Sequence, residues 1–294
     1  MDNNNKFSIL ISFFALWIST YFSFEHQQFI GFVVIFLFGI LHGSNDLQLI
    51  LKINSQKNNN SLKKILIYYV IFVLIGIILF YSLPKFALLL FIFLSAYHFG
   101  EQHWTILYTN RLSKSVITFQ IVYGLFIFIL LFNFHQEEVK KIIEQIIGSS
   151  ISFIDFTNCL IVIGVLLCIS GYLVYKTDSK FKNEIIVNIF YLIVFGIFFK
   201  NASLIWGFAI YFVVWHSLPS IKEQIHFLYG EYTFNNFKRY FKSAFIYWII
   251  SLIGILLLYV LFKDQKIFKA LFFSFLAAIT FPHTLVIMKM QIKK

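Results

Sequence analysis

The sequence predicts an all-α fold, a polytopic transmembrane bundle of about ten spans forming one integral membrane domain over residues 1–294. Three observations predict it. Of the 294 residues, 60% are hydrophobic and 13% charged, with a mean hydropathy of +0.81, whereas a water-exposed domain carries about 25% charged and 45–50% apolar residues. The apolar residues gather in runs close to the roughly 20 residues that a spanning helix needs. Three Pro and 13 Gly are too few for the turn-rich, alternating strands of an outer-membrane barrel. Little chain is left for a soluble domain, so any chemistry belongs inside the bundle or at its rim.

The first segment, about 7–24, has the length of a signal peptide but no small-residue cleavage site, and it runs through Tyr21, Phe22 and Phe24 towards the next apolar run. It is expected to be retained as a helix. The second segment, about 29–50, precedes an Asn-rich connection from Asn54 to Lys64. Segments at about 65–83, 86–108 and 116–134 follow. From Gln136 to Ser149, Val139, Ile142, Ile143, Ile146 and Ile147 alternate with Glu137, Glu138, Lys140, Lys141 and Glu144, the pattern of an amphipathic helix lying in the interface. Further spans are expected at about 151–175, 184–200, 203–220, 243–262 and 270–288, with a polar connection from Lys222 to Lys242 before the last two. Of the 24 Lys and Arg, 17 fall on the side of the N-terminus and 7 on the other. Both termini are therefore expected in the cytoplasm, in the inner (cytoplasmic) membrane.

Composition excludes other classes. The net charge of +11 is spread over the short connections, which encodes topology and does not mark a nucleic-acid surface. Cys159 and Cys168 share one apolar run and suggest neither a disulfide framework nor a thiolate metal site. The 40 Phe fit a codon bias towards Phe, Ile, Asn and Lys as well as an aromatic tunnel for a long hydrocarbon.

An ionisable residue inside a span is costly and suggests function. His26, His135 and His226 fall in connections or near rims, with His103 less clearly so. His42, His98, His216 and His283 fall deep in the second, fourth, eighth and tenth segments, each 12 to 13 residues after the segment start. All four segments run towards the cytoplasm, so equal depth in sequence means equal depth in the membrane. Four imidazoles in one layer point to a metal, iron, copper or zinc, which would supply the partner such groups lack in lipid. Asp46, four residues after His42, and Glu101, three after His98, are candidates to orient an imidazole by hydrogen bonding. Pro219 and Pro282 flank His216 and His283 and would release backbone carbonyls beside them. No HExxH or HxxHH pattern occurs, and one layer has no room for two haems. A single mononuclear centre fits, and iron(II) with histidine ligands leaves positions open for dioxygen.

At the same residues the chain resembles a known family. Leu41-His42-Gly43-Ser44-Asn45-Asp46-Leu47, Ser95-Ala96-Tyr97-His98-Phe99-Gly100-Glu101, Trp215-His216-Ser217-Leu218-Pro219 and Pro282-His283 are similar to the motifs of the Brp/Blh family of bacterial and archaeal membrane β-carotene 15,15'-dioxygenases. The resemblance implies cleavage of the central double bond of β-carotene into two retinal molecules, with Fe(2+) held by histidines and O2 as co-substrate. By motif it makes His42, His98 and His216 ligands. Some members carry a further His four residues after the third motif's, where this chain has Ser220. The fourth ligand then comes from elsewhere, with His283 the first candidate by depth and His103 the next. From His98 to His103 a helix turns by about 500° and rises by about 7.5 Å, which points His103 away from His98, whereas His283 arrives on its own helix at the common depth.

A hydrocarbon substrate partitions into the bilayer and would enter a membrane enzyme sideways, its position set by the shape of an apolar tunnel. Tyr97, Phe99, Trp104, Tyr211, Trp215 and Phe281 flank the histidine motifs and are candidates to steady positive charge on a polyene. Two other classes compete. A metal or proton transporter would use the layer as a transit site and calls for intramembrane acids, for which Asp46 and Asp155 are the candidates. A structural subunit would bind no metal.

Overall fold

The computed structural model describes residues 3–54, 59–104, 113–262 and 268–293. Among them there is no strand. The helices are α1 (Asn3–Ser19), α2 (Phe24–Val34), α3 (Ile40–Gly43), α4 (Asp46–Ile53), α5 (Asn59–Ser82), α6 (Pro84–His103), α7 (Lys114–Phe134), α8 (Gln136–Ile147), α9 (Phe156–Thr177), α10 (Ser179–Asn201), α11 (Leu204–Ile210), α12 (Leu218–Tyr229), α13 (Phe234–Phe262) and α14 (Phe268–Lys293). Two π-helical segments interrupt them, π1 (Ile35–Gly39) and π2 (Tyr211–Ser217).

Among the described residues each of the ten expected segments falls largely on helix, and eight helical stretches are long and apolar enough to cross a membrane. The chain is a multi-pass, all-α membrane protein. The remaining two segments are α1, which is shorter, and α6, which has the length but carries Ser95, Tyr97, His98, Glu101, Gln102 and His103 in its second half. Those polar residues are the reason α6 reads weakly as a span. The end of that segment at 105–108 and the middle of the Asn54–Lys64 connection lie outside the described residues.

Three boundaries differ from the sequence expectation. The sixth span starts at Phe156 because Asp155, exposed, caps α9 by accepting from the Thr157 amide. Asp155 is thus a capping residue at a helix entrance and not a deep acid. Asp178 does the same for α10, accepting from the amides of Lys180 and Phe181. The Lys222–Lys242 connection is mostly helix: α12 runs on to Tyr229, Gly230 turns the chain at φ +92°, and α13 begins at Phe234. A positive φ is open to glycine at little cost, which suits the residue closing a helix. The amphipathic segment forms α8 as expected and ends at Gly148, φ +67°.

Contacts within the chain gather into two compact units. The first comprises Met1–Val33, Ile92–Lys141 and Ser150–His216. In it α7 packs along α9 and against α10 and α11, and α1 lies on α10. Buried Phe119, Phe128, Phe181, Phe195, Phe198 and Phe199 fill this core. Polar ties are few and specific: Trp215 Nε1 donates to Ser12 Oγ at 2.8 Å, and Gln27 Oε1 accepts from the Ser203 amide at 3.1 Å.

The second unit comprises Val34–Phe91, Ile142–Ser149 and Ser217–Lys294. Here α5 packs along α14, α4 packs on α14, α5 and α12, and α13 lies on α3 and α12. One core cluster joins Leu41, Ile221, Ile225, Tyr240 and Ala244, and another joins Leu49, Ile53, Val286, Ile287 and Met290. Outward faces of α5 and α13 expose Ile67, Ile78, Ile246 and Ile250, as helices in contact with lipid do.

Candidate functional site

The four deep histidines are all buried, between 1% and 4% exposed, and each unit holds two of them as an edge-on pair. In the first unit His98 of α6 meets His216 of π2, ring centroids 4.7 Å apart and planes at 83°. In the second, His42 of α3 meets His283 of α14 at 4.6 Å and 87°. The pairing matters chemically. Imidazole nitrogens bind a metal at about 2.1 Å, which puts each ring centroid roughly 3.2 Å from the ion, so two ligands at right angles have centroids about 4.6 Å apart. Both pairs have that centroid spacing, so each is compatible with two neighbouring ligands of an ion. His42 and His283 in the second unit, and His98 in the first, are each of a type that could offer a nitrogen to a metal.

The chain is irregular beside one member of each pair. The π1 turn ends three residues before His42, and His216 lies within π2. A π-turn holds one residue more than an α-turn and recurs at functional sites, where it re-aims a side chain. Pro219 sits in the first turn of α12, just after π2, and Pro282 lies inside α14 just before His283. The sequence marked the prolines but not the π-turns.

Asp46 reaches an imidazole, that of His283. The helix breaks at Ser44 and Asn45, between α3 and α4, so residues 42 and 46 are not one turn apart on one helix. The Asp46 Oδ1 lies 2.8 Å from Nδ1 of His283, the other member of the pair, and its Oδ2 accepts from the Tyr69 hydroxyl of α5 at 2.9 Å. A carboxylate oxygen accepts, so the His283 proton sits on Nδ1 and Nε2 is the ring's donor for a metal. Tyr69 carried no signal in the sequence, being one of several aromatics in an apolar span. Glu101 is buried and accepts from the Tyr97 hydroxyl at 3.3 Å. Neither carboxylate reaches out to lipid headgroups.

His103 ends α6, which is regular over Pro84–His103. Its Nε2 lies 3.2 Å from the Tyr211 hydroxyl, and its ring stacks on Tyr211 and Trp215 with Tyr123 and Phe195 at its edges. His103 is thus held in an aromatic box. His26 pairs with Ser23 Oγ at 2.6 Å, and His135 Nε2 with the Phe199 carbonyl at 2.9 Å. Burial at the rim holds the His135 pKa below its ordinary value, against the raising effects of the Phe199 carbonyl and Glu138.

Of the flanking aromatics, Phe99 lies against His216 at 4.4 Å and also touches Tyr211 and Phe212, while Phe212 stacks on His216 at 5.5 Å. Phe281 stacks on Phe80 in the second unit at 6.2 Å. Trp104 packs into the core of the first unit against Phe119, Tyr123 and Phe181. Ser220, four residues after His216, accepts from Gln224 Nε2 at 3.1 Å.

The family model described as beta-carotene 15,15'-dioxygenase matches residues 33–291. No curated protein and no solved structure matches the chain. The match covers most of the chain and all four histidine motifs, and the chain belongs to this family.

Proposed function

We propose, from this family membership and the two buried histidine pairs, that the chain is an iron-dependent dioxygenase that cleaves the central double bond of β-carotene into two molecules of all-trans-retinal. The reaction balances with one O2: one C=C bond breaks and two C=O bonds form. The observation that carries the metal assignment is the pairing itself, two edge-on imidazole pairs buried in apolar helices at a spacing suited to adjacent ligands of an ion. From their equal depth in their segments of the sequence, His42, His98, His216 and His283 are assigned as metal ligands. Iron(II) bound there would supply the electrons that activate dioxygen.

The chain's own residues have separate tasks. Asp46 and Tyr69 fix the tautomer of His283. Glu101, held by Tyr97, is assigned a similar task for His98. The lipid-facing helices give a hydrocarbon direct entry from the bilayer, and the aromatic faces of Phe99 and Phe212 beside His216 would steady positive charge on the polyene. The test is expression in carotene-producing cells, followed by iron analysis of the purified protein. Retinal and near-stoichiometric iron are expected. Carotene left intact by protein that contains iron would favour the transporter reading, and protein without metal would favour a structural subunit.

Asp46→Asn retains a polar side chain but loses the carboxylate's charge. It is expected to lower iron affinity or retinal formation by about 10–100-fold, the usual effect of losing a carboxylate behind a ligand histidine. Wild-type iron content and retinal yield in this variant would remove Asp46 from the site.

The charge asymmetry of 17 to 7 supports a topology with both termini and the Asn54–Lys64 connection in the cytoplasm, and we assign the protein to the inner (cytoplasmic) membrane. A reporter fused after Lys294 that is active only in the cytoplasm is the expected result. Activity only outside would invert the topology.

A further inference from the structure

In each unit a glutamine side chain donates to the main-chain carbonyl of one histidine of the pair. Gln224 Nε2 of α12 lies 2.9 Å from the His42 carbonyl, and Gln102 Nε2 of α6 lies 2.9 Å from the His216 carbonyl. Both carbonyls sit where a regular helix ladder is interrupted. His42 O would bond to the amide of residue 46 in an unbroken helix, but the chain breaks at Ser44 and Asn45 and restarts at Asp46. His216 O lies at the end of π2, where hydrogen bonding passes from the π to the α register just before Pro219.

The orientation of Gln224 is determined by its surroundings. The Tyr240 hydroxyl has one proton, and its shortest acceptor is Gln224 Oε1 at 2.8 Å, against 3.3 Å to the His42 carbonyl. With Oε1 committed to Tyr240, Nε2 faces the two acceptors on its other side, His42 O and Ser220 Oγ. Asn45, in the helix break itself, is held in turn: its Nδ2 donates to the Tyr240 carbonyl at 2.9 Å and its Oδ1 accepts from Ser243 Oγ at 2.7 Å. Gln224, Asn45 and Tyr240 have no exposed surface. A satisfied polar network in an apolar bundle fixes a unique local geometry, whereas apolar side chains would have filled the same space without one.

We propose that Gln224 and Gln102 are positioning residues, each fixing the backbone at an irregular turn so that the attached imidazole stays aimed at the metal, with Tyr240 setting the Gln224 amide. This rests on the reading that the histidines hold a metal. A displaced backbone moves its imidazole with it, and ligand aim is the property that such supporting contacts control.

The test titrates Co(II), as a visible probe, into the metal-free full-length protein in detergent. Dissociation constant, ligand-field absorption and melting temperature without metal are read for the wild type, Gln224→Met, Gln102→Met and Tyr240→Phe. Gln27→Met, which removes the contact to the Ser203 amide, serves as a structural control. Expected are a roughly 10–100-fold weaker dissociation constant and a shifted ligand-field band for both glutamine variants. A smaller loss is expected for Tyr240→Phe, and no change in either readout for Gln27→Met. Glutamine variants that melt lower but bind Co(II) with wild-type affinity and spectrum would overturn the proposal and leave the network a structural one. Should Gln224→Met fail to fold, Tyr240→Phe and Gln102→Met decide by the same readouts. A wild type that binds no Co(II) and no Fe(II) overturns the metal reading itself, a result separate from wild-type binding with indifferent variants.

Discussion

Alanine at His42, His98, His216 or His283 is expected to give protein that retains no iron and forms no retinal, whereas His103→Ala keeps its iron and at least part of its activity. Each of the four imidazoles is buried and belongs to an edge-on pair. On the proposed ligand assignment, removing one leaves the other member of its pair alone, and an ion that loses a neutral donor loses most of its affinity. His103 is differently placed. It lies on the same regular helix as His98, about 140° round from it by helix geometry, and its ring is boxed by Tyr211, Trp215, Tyr123 and Phe195. Its loss costs packing and the contact to the Tyr211 hydroxyl, so a lower melting temperature is expected with the metal retained. Iron per protein chain by elemental analysis, alongside retinal by chromatography, separates the two classes. Iron lost from His103→Ala and kept by His283→Ala would exchange their roles and end the equal-depth argument.

Legibility in the sequence followed the physics of each feature. The spans were readable because exclusion from water acts on composition over some 20 residues at once, and the expected ten segments fall on helix. Boundaries set by single polar side chains were not readable in the same way. Asp155 looks like an acid inside an apolar run until its hydrogen bond to the Thr157 amide shows it to be a cap, and Phe234 to Lys242 continue α13 although their polarity suggested a connection. The four histidines stood out because an imidazole in lipid is expensive. Which of them pair did not, because pairing is decided by packing between distant segments.

The partner of Asp46 shows the same limit. Spacing of four residues implies a shared helix face only if the helix is continuous, and Ser44 and Asn45 interrupt it. The interruption, like π1 and π2, changes backbone hydrogen bonding without a change in hydropathy. Gln224 and Tyr240 resemble ordinary interfacial residues in sequence. Their role becomes visible only where α12 and α13 bring them to the His42 carbonyl.

Two glycines invisible to hydropathy carry the second large effect: Gly100→Ala and Gly124→Ala are each expected to destabilise the protein strongly and to abolish retinal formation. A Cβ added at Gly100 would lie 1.8 Å from the Gln120 carbonyl oxygen, and one at Gly124 would lie 1.9 Å from that of Ala96. The four residues form two steps, Ala96 and Gly100 on α6 against Gln120 and Gly124 on α7, at which the helix backbones touch directly. Small residues four apart permit such an approach in membrane helices. Backbone cannot swing aside as a flexible side chain does, so the helices must part by at least the 1.2 Å between 1.8 Å and the 3.0 Å below which real Cβ contacts essentially never fall. Overpacking of this kind typically costs ~1–3 kcal/mol, and more where no side chain can give. It also moves His98, two residues before Gly100 on the same helix, and an error of about 1 Å in a catalytic geometry can cost about 10²-fold in rate. Gly196→Ala is the control. It lies within α10 with open space where the Cβ would go, so alanine there is expected to match or exceed wild-type stability, by up to about 1 kcal/mol from helix propensity. Melting temperature in detergent and retinal yield are the measurements. Wild-type values for Gly100→Ala would mean that α6 and α7 do not make this contact, and the placement of His98 would have to be drawn again from a wider helix pair.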